Sequence, residues 1–195
     1  TCALPIWMNY YPSKRVLEYQ EPLAIITPED VAIACKELGF KRMPRPYQCE
    51  GIAYMINHGN CINGDDCGLG KTGQTIATLE LMDAFPALVI TPASVKYNWK
   101  KEWEKWNPTR TVGVVGRKKK FDENVWQNDV IIINYDILGE RGLDKPTAKF
   151  KELLKKRWAS CVMDEIHFLK SEKALRTKMA KKIVKTVPQD RKSVV

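Results

Sequence analysis

Gly68-Leu69-Gly70-Lys71-Thr72, with Asp65-Asp66-Cys67 in front of it, decides how the rest of the chain is read. A short apolar stretch around Cys61–Asn63 predicts a strand before it, and the pattern after it predicts a helix over about 71–83. Glycines in such a turn let backbone N–H groups converge on phosphate oxygens with no Cβ in the way. The N-terminus of the following helix adds partial positive charge. Lys71 has the reach for β- and γ-phosphates, and the Thr72 hydroxyl can ligate Mg²⁺. The strict pattern G-x-x-x-x-G-K-[ST] fails by one position, because Asp65 stands where its first glycine belongs and Gly64 is one residue further back. Taken alone, the segment also reads as a Gly-rich turn ahead of an amphipathic helix.

The sequence on either side alternates. Upstream, Thr27-Pro28-Glu29-Asp30 is a helix start: Thr27 can cap, Pro28 suits the first turn and the acids favour it. Val31, Ala32, Cys35 and Leu38 mark its apolar face and Gly39 ends it. A second helix is expected from about Tyr47 to His58, closed by Gly59. Downstream, Ala87–Ile90, Val112–Val115, Val130–Ile133 and Ser160–Asp164 read as buried strands. Between and after them lie helix patterns through Val95, Trp99, Trp103 and Trp106, over about 146–157 and over about 173–185. Short apolar strands alternating with helices predict an α/β domain with a mostly parallel central sheet flanked by helices. The tryptophans could stack on bases, but their helical spacing favours core packing.

Cys161-Val162-Met163-Asp164-Glu165-Ile166-His167 puts two carboxylates at the end of an apolar strand. Ligands of such sheets bind outside the carboxyl ends of the strands, so these acids are expected to face the phosphate loop. Asp164 would hold Mg²⁺, and Glu165 would orient or deprotonate an attacking water. Asp-Glu after a strand is weak on its own and gains force from a phosphate loop in the same domain. Cys67 and Cys161 read as small packing residues.

Composition bounds the rest. The 195 residues suit one domain with a short arm, at about 100–200 residues per domain. No apolar run approaches the roughly 20 residues of a membrane-spanning helix. Six cysteines without any C-x-x-C spacing suggest no zinc site and no disulfide framework. The net charge of +9 is concentrated. Residues 1–144 carry 17 Lys/Arg and 18 Asp/Glu, while residues 145–185 carry 13 and 4. That quarter reads either as a nucleic-acid-facing surface or as solvated Lys-rich helix faces, as Lys149, Lys151, Lys155 and Lys156 suggest. The run Arg117-Lys118-Lys119-Lys120 reads as a solvated loop.

Several segments together resemble Swi/Snf-type DNA translocases of helicase superfamily two. Asp65-Asp66-Cys67-Gly68-Leu69-Gly70-Lys71-Thr72 looks like motif I, which in that family carries acids before G-L-G-K-T. Asp164-Glu165-Ile166-His167 looks like motif II, with Ile166 where a small residue is usual. Arg45-Pro46-Tyr47-Gln48 with Gly51 resembles the Q-motif region. Leu88–Ser94 with the tryptophan helix resembles motif Ia, and Ile131–Asp136 resembles the strand-plus-Tyr motif before motif II. The wording of both boxes looks most like the annealing-helicase branch.

The resemblance implies a RecA-like P-loop NTPase lobe, the first of two, in a DNA-dependent ATPase that translocates on or remodels double-stranded or branched DNA. It implies ATP and Mg²⁺ as cofactors. Tyr47, Gln48, Asp65, Asp66, Cys67, Gly68, Leu69, Gly70, Lys71 and Thr72 would bind ATP, with Gln48 recognising adenine. Lys71, Asp164, Glu165 and His167 would be catalytic, with His167 linking the site to DNA sensing, and Thr72 and Asp164 would hold the metal. Thr91, Ser94, Lys96 and Tyr135 would contact DNA. The family's motif III and second lobe, with its ATP-completing arginines, do not appear before Val195. Residues 1–7 and 190–195 resemble translated adapter DNA and are expected to be foreign. That leaves an N-terminal extension with one helix over 8–44 and the lobe over 45–189. The implied setting is intracellular: nucleus in a eukaryote, cytoplasm in a bacterium or with a virus. Two other functions remain open, a superfamily-two helicase unwinding DNA or RNA and a non-enzymatic single-lobe nucleotide-binding module.

Overall fold

The computed structural model describes residues 25–66, 68–107, 109–116, 122–145, 148 and 150–187. The expectations for both termini, for Cys67, for Lys149 and for the basic run 117–120 lie outside them.

Helix α1 (Pro28–Glu37) begins as its sequence predicts. The Thr27 hydroxyl accepts the Asp30 backbone N–H at 3.2 Å, and the Asp30 carboxylate accepts the Thr27 N–H at 2.9 Å. This reciprocal capping box satisfies two donors that the helix leaves unpaired. The hydrogen bonds from Thr27 hold the Asp30 carboxyl below its usual range. Val31 and Cys35 are buried as expected, but Leu38, at the C-cap, is exposed. Helix α2 (Pro46–His58) ends at Gly59, whose φ of 67° no β-carbon obstructs.

Next come α3 (Lys71–Leu81), β1 (Ala87–Thr91), α4 (Lys96–Trp106) and β2 (Val112–Val114). A 3-10 turn over Glu123–Gln127 leads into β3 (Val130–Asn134), α5 (Tyr135–Leu138), α6 (Glu152–Lys155) and β4 (Ser160–Met163). A second 3-10 turn, Ile166–Leu169, and α7 (Leu175–Thr186) follow.

The four strands form one parallel sheet in the order β2-β3-β1-β4. Leu88 pairs with Ile131 on one side and Cys161 on the other. Period-two alternation sends strand side chains to two separate cores. Ala87, Val89, Val130, Ile132 and Val162 pack under α1 to α4. Leu88, Ile90, Ile131, Ile133, Cys161 and Met163 pack under α5, α6 and α7. Burial on both faces explains why these strands read as continuous apolar runs. Each fully buried aliphatic side chain contributes about 1.5–3 kcal/mol. Burial pushes the Cys161 thiol up to about 12, as expected of a packing residue and not of a nucleophile.

Three expectations need correction. Cys61–Asn63 is not a strand. Ile62 turns outward, and Asn63 is held by side-chain bonds instead of a ladder: its Oδ1 accepts the Asp65 N–H at 3.1 Å and its Nδ2 donates to Gln74 at 3.1 Å. Among its described residues, the Lys-rich segment expected as a helix over 146–157 is α-helical over Glu152–Lys155 alone. Lys156 is not a solvated lysine either. It donates to the carbonyls of Trp126 and Asn128, and burial lowers its pKa.

Chain order puts the site where the sheet's winding reverses. From β1 the chain crosses to edge strand β2, returns to β3 and then crosses to β4 on the far side of β1. Thr91, the last residue of β1, and Asp164, the residue after β4, end up side by side at the carboxyl ends of the strands.

Candidate nucleotide-binding and hydrolysis site

Gly68 and Gly70 have φ values of 89° and 78°, where an L side chain costs about 1–2 kcal/mol. Helix α3 begins at the next residue, Lys71, without a side-chain cap. Its first N–H groups have no intrahelical acceptor, so they remain available to an anion. Lys71 is buried, and its ammonium folds over the loop onto the Asp65 and Asp66 carbonyls, the latter at 3.0 Å. Thr72 is the second residue of α3. Two positive-φ glycines, an uncapped helix start, a lysine and a threonine form a donor set that fits a Mg²⁺-bound nucleotide triphosphate.

The loop is braced from outside by amides. The Leu69 carbonyl accepts from Gln48 Nε2 at 3.1 Å and from Tyr47 Oη and Gln74 Nε2 at 3.4 Å each. Gln48 Oε1 accepts the Arg45 N–H at 2.9 Å. Both ends of the Gln48 amide thus brace the loop and the start of α2, and each end keeps one further hydrogen-bonding position. Gln74 also donates to Asp65 Oδ2 at 2.8 Å. Gly51 lets it in, since a β-carbon there would meet Gln74 Oε1. Sequence reasoning missed Gln74 and Asn63. A polar residue on the buried face of α3 was the available signal, and only tertiary packing reveals that face.

A β-carbon at Gly70 would collide with Gln48 Nε2 and force a left-handed L residue. Gly70→Ala should therefore weaken binding of a fluorescent ATP analogue about 5–30-fold, the equivalent of about 1–2 kcal/mol. Wild-type affinity in that titration would show that the loop is not the cradle.

At the other half of the site, Asp164 is nearly buried and heavily held. Its Oδ2 accepts the Thr91 hydroxyl at 2.9 Å and the Trp99 indole N–H at 2.8 Å. Its N–H donates to the Ile90 carbonyl at 2.8 Å, and its own carbonyl accepts the Tyr135 hydroxyl at 2.7 Å. Burial, then the nearby Asp164 charge, pushes the Tyr135 phenol up, so it stays a donor. Glu165 sits at φ 57°, an unfavourable conformation for a non-glycine residue. Its Oε2 lies 3.0 Å from His167 Nδ1. His167 packs on Phe168, and Phe168 stacks on Tyr135.

The expected DNA contacts divide. Thr91, Lys96 and Tyr135 are buried. Thr91 and Tyr135 serve Asp164, and Lys96 Nζ donates to the Val115 carbonyl at 3.2 Å. Their side chains are thus hydrogen-bonded inside the lobe. Ser94 is exposed. Trp99, Trp103 and Trp106 are buried in the core, as their spacing predicts. Among the described residues, no hydrogen bond joins Lys71 or Thr72 directly to Asp164 or Glu165; the hydrogen bonds of Lys71 stay within its own loop.

Comparison with known proteins agrees with this geometry. The SNF2-related domain matches residues 47–187. The chain is 30% identical over 188 residues to Protein CHROMATIN REMODELING 19 of Arabidopsis thaliana, covering 85% of this chain and 24% of that protein. It is 30% identical over 148 residues to the human DNA annealing helicase and endonuclease ZRANB3, covering 71% of this chain and 13% of that protein. Among solved structures, the Sulfolobus solfataricus SWI2/SNF2 ATPase core in complex with dsDNA superposes with a TM-score of 0.57 at 28% identity. That match covers 73% of this chain and 30% of the solved one. The chain thus spans about a quarter or less of the curated relatives it matches. The fold is RecA-like, and the chain belongs to the SNF2-related family of helicase-like, ATP-using proteins.

Proposed function

We propose that this chain is the first ATP-binding lobe of a motor that hydrolyses ATP while moving on double-stranded or branched DNA. The observation that carries the reading is one lobe with both halves of a phosphoryl-transfer site. One half is the positive-φ glycine loop opening uncapped α3, and the other is the Asp164-Glu165 pair beyond β4.

Bound ATP would supply the phosphoryl group, and Mg²⁺ its charge neutralisation. The α3 N–H groups and Lys71 bind phosphate oxygens, with Lys71 leaving the loop carbonyls to do so. Thr72 and Asp164 would hold the metal. Glu165 takes the proton of the attacking water, and His167, 3.0 Å from it, orients its carboxylate. A second lobe of the same protein completes the site. We assign Ser94 and an exposed α7 stripe, Lys178, Lys181, Lys182 and Lys185, to the DNA side. The stripe follows the i, i+3, i+4, i+7 spacing of one helix face. Weak exposed pairs to Glu172 and Asp144 offset only part of its charge. A DNA motor acts inside the cell, in the nucleus of a eukaryote or the cytoplasm of a bacterium.

The test is ATP hydrolysis by the full-length protein with and without duplex DNA, across a salt series. Turnover should rise with duplex, and affinity should fall with a log–log slope of about 0.9 per neutralised phosphate. Hydrolysis indifferent to DNA would overturn the motor reading. Displacement of a triplex strand without unwinding of a duplex would place it among translocases.

A further inference from the structure

Helix α4 packs three tryptophans into the core, and each makes a specific contact. Trp106 lies against Gly73 of α3, so closely that a β-carbon there would meet three atoms of its ring. The Trp103 indole N–H donates to Glu80 of α3 at 2.7 Å. The Trp99 indole N–H donates to Asp164 at 2.8 Å. One helix thus grips the phosphate-loop helix at two points and the motif II carboxylate at a third.

The chemistry at Asp164 is one-sided. Both side-chain donors, Thr91 Oγ1 and Trp99 Nε1, reach the same oxygen, Oδ2. Thr91 is fully buried and Trp99 is 2% exposed, so neither bond competes with water. A carboxylate accepts at both oxygens. Among the described residues, Oδ1 receives no hydrogen bond. Two buried donors on one oxygen fix the side-chain rotation and leave the other oxygen to act outward.

We propose that Trp99 and Thr91 are positioning residues. They lock Asp164 so that Oδ1 addresses the metal, and through α4 they tie that setting to the phosphate-loop helix. This rests on the functional reading above and adds residues that core packing alone would not single out. A tryptophan needed only for packing is replaceable by an aromatic ring without an N–H. A tryptophan needed for its donor is not.

The experiment uses full-length protein with Trp99→Phe, which keeps the ring and removes the donor, and Thr91→Val, which removes the hydroxyl at near-equal volume. Binding of a non-hydrolysable ATP analogue is titrated with and without Mg²⁺, and turnover is followed against Mg²⁺ concentration. Each variant should need about 10–100-fold more Mg²⁺ for its half-maximal effect. Metal-free analogue binding should be unchanged. In a ¹⁵N-indole spectrum, Asp164→Asn should shift the resonance that Trp99→Phe deletes. Unchanged Mg²⁺ dependence in both variants, with a responsive wild type, would overturn the positioning role alone. A wild type that binds no nucleotide with or without Mg²⁺ would overturn the functional reading and this inference together. Should Trp99→Phe fail to fold, the Mg²⁺ dependence of Thr91→Val decides.

Discussion

Glu165→Gln in the full-length protein is expected to bind ATP within a few-fold of wild type and to lose turnover by about 10²–10⁴-fold. At 1.36 kcal/mol per tenfold, that is about 3–5 kcal/mol of barrier. The amide keeps the side chain's size and can still accept from His167 Nδ1, now 3.0 Å from Glu165 Oε2. Gln bears the same backbone cost at φ 57° as Glu, so the turn after β4 should be preserved. What disappears is a group able to take a proton from water. Single-turnover hydrolysis beside analogue binding separates the two effects. Glu37→Gln is the matched control, because Glu37 is exposed at the end of α1 and belongs to neither the site nor the lysine stripe. Full turnover in Glu165→Gln would remove Glu165 from the role of base.

The sheet was legible because its strands are buried on both faces, and aliphatic runs such as Val130–Ile133 have no other comfortable place. Helix starts were legible where a side chain does local work, as Thr27 and Asp30 do. The phosphate loop was legible because glycine, lysine and threonine are needed there in sequence order. Contacts made across the chain were hidden. Thr91 and Asp164 are 73 residues apart, and nothing in either segment announces that one holds the other. Gln48 reads as a base-recognition residue by resemblance, and nothing local announces that its amide also braces the Leu69 carbonyl 21 residues away. Cys61–Asn63 misled for a related reason. Three residues of weak apolar character form a strand only when a neighbour pairs with them, and Asn63 found side-chain partners first.

Gly73→Ala sets two principles against each other. By helix propensity alone, alanine in the first turn of α3 should stabilise by at most about 0.8–1 kcal/mol. Packing opposes it, because the new β-carbon would press on Cζ2, Cε2 and Nε1 of Trp106. The ring has little room to yield. It is 2% exposed, Arg42 lies 5.6 Å over its face, and the Trp106 carbonyl accepts the Lys41 N–H at 3.0 Å. Overpacking costs about 1–3 kcal/mol and occasionally more, so packing should win and the net effect should be destabilising. For a domain this size, each kcal/mol lowers the melting temperature by about 2–4 °C. Nucleotide affinity should fall with it, since Lys71 and Thr72 immediately precede the displaced residue. Trp106→Leu alone should also destabilise, through the cavity it leaves. The double variant should be more stable than the sum of the two losses, because the smaller side chain vacates the space the β-carbon needs. A higher melting temperature for Gly73→Ala would mean that Trp106 is not seated on α3. Helix α4 would then lose one of the two holds by which it links the phosphate loop to Asp164.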